Sequence, residues 1–232
     1  MFGLPENSVV GKQLPKTAIY AKFAMNTAER ERFDADISRI AIANVVDTRH
    51  LAEGKDVKSI YVFAVQLKRK DYDPKNIATL AKLIEQKIVF ALMFEGETQL
   101  ATYCTRLITS EWQPTDDVTV PLAGLNLDSV WENIVAAIGS ITIVGSNTIA
   151  EQIAEDDAHA KLMKQIEQLE HKVRTEKQPR KKLELFEKLK ELKKMEKERH
   201  RREMDRIKDM KRHQKDMKKD KGHSGHIVPG RR

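Results

Sequence analysis

From Glu151 to the C-terminus the chain carries a single aromatic residue, Phe186, and six of its seven histidines. Aromatic side chains supply the largest buried areas of a core, so a stretch without them favours an extended helical appendage over a second globular body. Charge changes at the same place. Residues 1–150 hold 16 Lys and Arg against 18 Asp and Glu, whereas residues 151–232 hold 26 against 17. The formal net charge of +7 therefore belongs to the tail. Such a shift marks a boundary between a body and a charged extension.

Other features exclude whole classes. Cys104 is the only cysteine, which removes an intrachain disulfide and argues against a zinc cluster. The start, MFGLPENSVVGKQLPK, has no basic segment followed by an apolar one, so no secretory signal is expected. The most apolar stretch, Asn133 to Gly145, falls short of the roughly 20 residues that span a bilayer. The expectation is a soluble, cytoplasmic protein with no membrane association. The chain contains no G-x-x-x-x-G-K, G-x-G-x-x-G or G-x-S-x-G, which leaves nucleotide hydrolysis and serine-hydrolase chemistry without support.

In the body, Gly3 to Lys16 reads as an irregular arm and Thr17–Phe23 as a short strand. Asn26 or Thr27 caps a helix in which Phe33, Ile37 and Ile40 recur at helical spacing, to about Arg39. Ile40–Val46 is a strand, and Val57–Arg69 alternates Tyr61, Phe63, Val65 and Leu67 against Val62, Ala64, Gln66 and Lys68. Asp73-Pro74 starts a helix through Ile84. Ile88–Phe94, apolar on both faces, is a central strand, and Gln99–Ile108 returns as its hairpin partner. Asp128 or Ser129 caps a helix that stops at Gly139. The body, residues 1–146, is thus expected to be α+β, a mostly antiparallel sheet with flanking helices.

Thr148 and Glu151 form a capping box at the start of the appendage, residues 147–221. Leu162, Ile166, Leu169 and Val173 follow a heptad seam, and Leu185, Leu189, Leu192 and Met195 give a second stripe beyond Pro179. Proline suits a first helical position, so two helices joined by a short link predict a C-terminal basic helical hairpin or coiled coil. Residues 222–232, rich in glycine, are expected to be disordered.

Three chemistries are open to these residues. Lys181, Lys182, Lys188, Lys193, Lys194, Arg201, Arg202, Arg206, Lys211 and Arg212 are dense enough to contact phosphates without sequence preference. The same cations, with 11 acidic residues among 22 basic ones over 171–221, also fit a plain solvated or partner-binding helix. Asp47, Gln66 and Lys68 suggest a divergent PD-(D/E)xK-like nuclease, the one reading that needs a cofactor, Mg²⁺. His223-x-x-His226 has metal-like spacing but no further ligands.

The segments FGLP (2–5), KQLPK (12–16), ERFDADISRI (31–40), VQLKRKDYDPKNIATLAKLI (65–84), FEGETQLATY (94–103), SEWQP (110–114), LNLDSVWENIV (125–135) and the helical stretch 166–194 together resemble a bacterial family catalogued as domain of unknown function 4391. The resemblance implies a neighbourhood of DNA methyltransferases and helicases in restriction-modification or antiphage clusters. On that basis the expected function is a non-enzymatic accessory or adaptor protein of a DNA-processing complex, with nucleic-acid contact by the C-terminal helices. A helicase or DNA methyltransferase is the expected partner, and the hairpin a route to oligomers. The alternatives are the nuclease and a coiled-coil adaptor that binds protein alone.

Overall fold

Alternating burial along one β-branched strand sets the frame of the first unit. In β3 (Ser59–Leu67), Phe63, Val65 and Leu67 enter one apolar cluster and Val62 is buried on the opposite face. The computed structural model describes residues 2–142 and 148–223, with side chains described as far as Asp209 and at Arg212. The chain divides into two units, Met1–Thr142 and Ile143–Arg232. The expected boundary at 146 lies among residues 143–147, outside the described ones.

The first unit is α+β. Strands β1 (Val9–Gln13), β2 (Ile37–Asp47) and β3 form an antiparallel meander. Helix α3 (Pro74–Leu80) then crosses over to β4 (Lys87–Phe94), which runs parallel to β3. Strands β5 (Glu97–Cys104) and β6 (Arg106–Thr109) extend the sheet antiparallel, and β7 (Gln113–Pro114) pairs with β5. Helices α1 (Lys16–Lys22), α2 (Thr27–Asp36) and α3 cover the face carrying Ile40, Phe63 and Phe90. Helix α4 (Leu127–Gly139) packs on β3, β5 and β6 and buries Leu127, Val130, Trp131 and Ile134.

Several local expectations are corrected. The supposed irregular arm contains β1, which pairs with β2 yet is exposed along its whole length, so no alternation marks it. Thr17–Phe23 is helical because Ile19, Tyr20 and Phe23 share one face; Ile19 is buried and Tyr20 meets Phe33 edge to face at 6.0 Å. The α2 helix stops at Asp36, whose carbonyl accepts the Lys68 N–H at 2.8 Å and joins the chain to the sheet. Helix α3 ends at Leu80 instead of Ile84. The single strand expected over Gln99–Ile108 folds back on itself at Thr105, which takes φ 62°, so that Cys104 pairs with Arg106.

The cap of α4 is Asn126, which exchanges side-chain bonds with Ser129. Asp128 is used otherwise, as its carboxylate accepts N–H bonds from Lys55 at 2.6 Å and Val57 at 2.8 Å and anchors that loop. Gly139 does not supply the turn, since Ser140 takes the left-handed conformation at φ 50°. A Cβ on Gly139 would lie 2.8 Å from Ile108, so glycine is there for close approach of helix and strand.

The second unit is a pair of antiparallel helices, α5 (Ile149–Thr175) and α6 (Pro179–His223). Thr148 and Glu151 form the expected capping box. Ile166 and Leu189 are buried, while Leu162, Leu169, Val173, Leu185 and Leu192 are half-buried, so the two predicted stripes face each other. Lys193 to Glu170 at 2.7 Å and Arg206 to Glu155 at 3.1 Å set the antiparallel register. Met195, expected in the stripe, is 58% exposed. Helix α6 takes in Gly222 and His223, the first two residues of the expected disordered tail; residues 224–232 and the His223-x-x-His226 pair lie outside the described residues.

Phe90 is fully buried and stacks edge to face on Phe63 at 5.9 Å, whereas Phe186 is 53% exposed. Phe90→Ala is therefore expected to cost about 3–5 kcal/mol in urea unfolding, and Phe186→Ala less than about 0.5.

Candidate functional site

Antiparallel register decides the nuclease reading. Asp47 stands opposite Ser59 at one end of the β2–β3 ladder, and Gln66 stands opposite Arg39 at the other. Seven residues of strand separate them, roughly 23 Å at about 3.3 Å per residue. Asp47, Gln66 and Lys68 do not converge. The residue facing Gln66 across the ladder is a cation, Arg39, where a metal would need a carboxylate, and the Gln66 amide donates to the Met93 carbonyl at 3.2 Å.

Asp47 is already engaged. Arg49 clasps its carboxylate through Nε at 2.9 Å and Nη2 at 2.8 Å, and this clasp holds the carboxyl down at about 2. His50 Nδ1 lies 3.3 Å from Asp47 Oδ1, and its side chain is 4% exposed. The cluster rigidifies the turn after β2.

The acidic residues that do share the Lys68 end are Asp34 and Asp36, both missed as site residues by the sequence reading. Asp36 is fully buried. Its Oδ1 takes Arg69 Nε at 2.7 Å and Nη2 at 2.5 Å. Its Oδ2 takes the Asp73 N–H and the Asn76 amide, each at 2.7 Å. Asp34 Oδ1 accepts Lys16 Nζ at 2.6 Å and Tyr20 Oη at 2.5 Å. Burial pushes the Asp34 carboxyl up, but Lys16, Tyr20 and Lys68 outweigh it and hold the group below its ordinary value. Burial and the Asp34 carboxylate together push the Tyr20 phenol well up.

With both oxygens of Asp36 saturated by donors, this junction is a brace. Among the described residues, no three His, Cys, Asp or Glu side chains are placed to hold a metal ion. Asp34 and Asp36 lie inside ERFDADISRI, and Arg69, Asp73 and Asn76 inside the 65–84 segment, so both halves were visible in the sequence. Nothing local said that they pair.

Concavities are lined by described residues of the first unit. One, of about 340 Å³, is floored by Phe23 and Met25 and rimmed by Arg32, Lys75 and Lys82. Another, of about 260 Å³, lies over Ala41, Ala43 and Ala64 on the sheet face left open beside β1. Cys104 is half-buried in its strand, and burial pushes its thiol up, away from the reactive thiolate.

The predicted phosphate-binding cations separate by helical phase. Lys193 and Arg206 are tied across the hairpin to Glu170 and Glu155. The bond from Lys193 holds the Glu170 carboxyl below its ordinary value. Arg212 lies 3.6 Å from Asp209. Lys181, Lys182, Lys188, Lys194, Arg201 and Arg202 are exposed, and the Lys211 side chain lies outside the described residues. The seam residues Leu162, Ile166, Leu169, Val173, Leu185, Leu189 and Leu192 close on each other inside one chain.

These features define a two-unit protein, an α+β sheet domain with a braced helix–strand junction and a charged helical hairpin. The chain belongs to the family described as domain of unknown function (DUF4391), whose model matches residues 2–195. It matches no curated protein and no solved structure. No helix among the described residues is long and apolar enough to cross a membrane.

Asp36→Ala leaves Arg69, the Asp73 N–H and Asn76 facing a void, and is expected to cost about 3–5 kcal/mol in chemical denaturation. Lys68→Ala, at an exposed side chain, should stay within about 0.5. Because folding depresses the Asp47 pKa, its contribution to stability is present above the unfolded-state value near about 4. That contribution is lost as pH falls toward about 2. Thermal melts of Asp47→Asn should accordingly show a lower midpoint than the parent at pH 6 and converge with it near pH 2.

Proposed function

We propose that this chain is a non-enzymatic accessory protein that works with a DNA-processing assembly. The sheet domain docks on a protein partner and the hairpin contacts nucleic acid without reading sequence. The observation that carries this reading is the division of labour within the hairpin. An apolar seam and ion pairs hold α5 to α6, and a set of lysines and arginines stays exposed outside that seam. Phosphate contacts are the interaction such cations make without further apparatus. A helicase or DNA methyltransferase, in a restriction-modification or antiphage setting, is the partner class that the family resemblance suggests.

The nuclease alternative loses its support with the separation of Asp47 from Gln66 and Lys68. A coiled-coil adaptor acting through the leucine seam is disfavoured because that seam is already occupied within the chain.

The test compares the full chain with residues 1–142, a unit that contains its own buried cluster around Phe33, Phe63 and Phe90. The full chain is expected to retard duplex DNA with an affinity that falls steeply between 50 and 200 mM salt. Residues 1–142 should show no retention. Equal binding by the two proteins refutes the reading.

A further inference from the structure

The phase of α6 picks out which cations are available. Its seam runs through Leu185, Leu189, Leu192, Glu196, Arg199 and Glu203, all buried or half-buried, at alternating spacings of four and three. Half a turn away, Lys190, Lys194, Lys197 and Arg201 follow one another at spacings of four, three and four, and all four are exposed. At about 1.5 Å per residue they occupy roughly 16 Å of a helix edge. Lys208 continues the line one heptad further on. None of the first four takes part in a salt bridge among the described residues.

The neighbouring column of the same outward face has the opposite sign, with Glu184, Glu191, Glu198 and Asp205 at seven-residue intervals. Acidic residues there repel phosphate and confine an approaching backbone to the basic side. The track therefore has one accessible strip about one side chain wide. The phosphates of one duplex strand rise 3.4 Å apiece while winding about the axis, so a straight edge of roughly 16 Å meets about three of them.

Base stacking is what single-stranded nucleic acid demands of a binding surface. The only aromatic of α6 is Phe186, and none lies in the basic column. We propose that Lys190, Lys194, Lys197 and Arg201 form a track for the phosphate backbone of duplex DNA, independent of sequence. This rests on the nucleic-acid reading above and narrows it to one face, one set of four residues and a double-stranded ligand.

The experiment measures fluorescence anisotropy of a labelled 30-base-pair DNA duplex with the full chain at 50–200 mM salt. Two variants are compared, K190Q/K194Q/K197Q/R201Q on the track and K161Q/K164Q/K172Q at exposed lysines of α5. Circular dichroism serves as the check on helix content. The track variant is expected to lose at least about 30-fold in affinity and to lower the salt slope by about three, near 0.9 for each phosphate contact removed. The α5 variant should change less than about threefold.

If the α5 variant loses as much as the track variant, or the track variant binds like the parent, the track is overturned while nucleic-acid binding by the hairpin stands. If a single strand of the same length binds as tightly as the duplex, the double-stranded assignment is overturned. If the parent chain fails to bind at 50 mM salt, the track and the reading beneath it both fall.

Discussion

The carboxylate of Asp36 is buried, and four donors from two other pieces of chain meet on it. An unpaired charge in that position would carry a desolvation penalty of several kcal/mol. The forked Arg69 guanidinium, the Asp73 N–H and the Asn76 amide replace its water shell. Their origin matters as much as their number. Asp36 ends α2, Arg69 follows β3, and Asp73 and Asn76 begin α3. One side chain thus fixes where a helix stops, where the β2 ladder begins and where the crossover helix starts. The Lys68 N–H on the Asp36 carbonyl reinforces the same joint through the backbone.

Because that joint sets the α3 crossover, it also sets the one parallel pairing in the sheet. β3 and β4 are joined by a helix on one face, so Phe63 and Phe90 come side by side beneath α3 in a shared cluster. The opposite face receives α4 over part of its width. Asp128 secures that helix to the 55–57 loop, and Gly139 lets it close on Ile108. The carboxylates at the two ends of the β2–β3 ladder are used up as braces. Asp47 is clasped by Arg49, Asp34 by Lys16 and Tyr20, and Asp36 by Arg69. Carboxylates committed to cations of their own chain hold turns in place.

The helical hairpin obeys a different logic. Leucine and isoleucine fill the middle of its seam, and polar residues such as Arg199 and Glu203 continue the same line farther along α6. Ion pairs between the helices select an antiparallel register, which apolar contacts alone specify weakly. The cations outside the seam divide into those answering a carboxylate across the hairpin and those facing outward. Composition cannot make that distinction, because Lys193 and Lys194 are neighbours in sequence and point in different directions.

Much of the architecture was legible in the sequence. Period-two burial marked β3, an apolar run marked β4, Asp73-Pro74 marked the start of α3, and Thr148 with Glu151 marked the start of α5. The capping residue of α2 was readable from Asn26, and the two leucine stripes announced a hairpin. Failures came where tertiary contact outvoted local preference. β1 carries no alternation because both its faces are exposed, and α1 is β-branched and aromatic yet helical because Ile19 must reach the core. The turn at Thr105 is paid for by strand pairing on both sides.

The sequence by itself determined the two-part organisation, since a segment with one aromatic and a large basic excess favours a helical appendage over a second globular body. It also determined the type of most elements, because hydrophobic period and capping chemistry are local properties. Only the tertiary structure decided which charges act on which. Asp47, Gln66 and Lys68 lie within 22 positions of one another in the chain, yet an antiparallel ladder sends Asp47 to the far end from the other two. Asp36 and Arg69 lie farther apart in sequence and meet in the interior. Pairing between distant charges depends on strand register and on where the chain turns back, and those are fixed by the whole core at once.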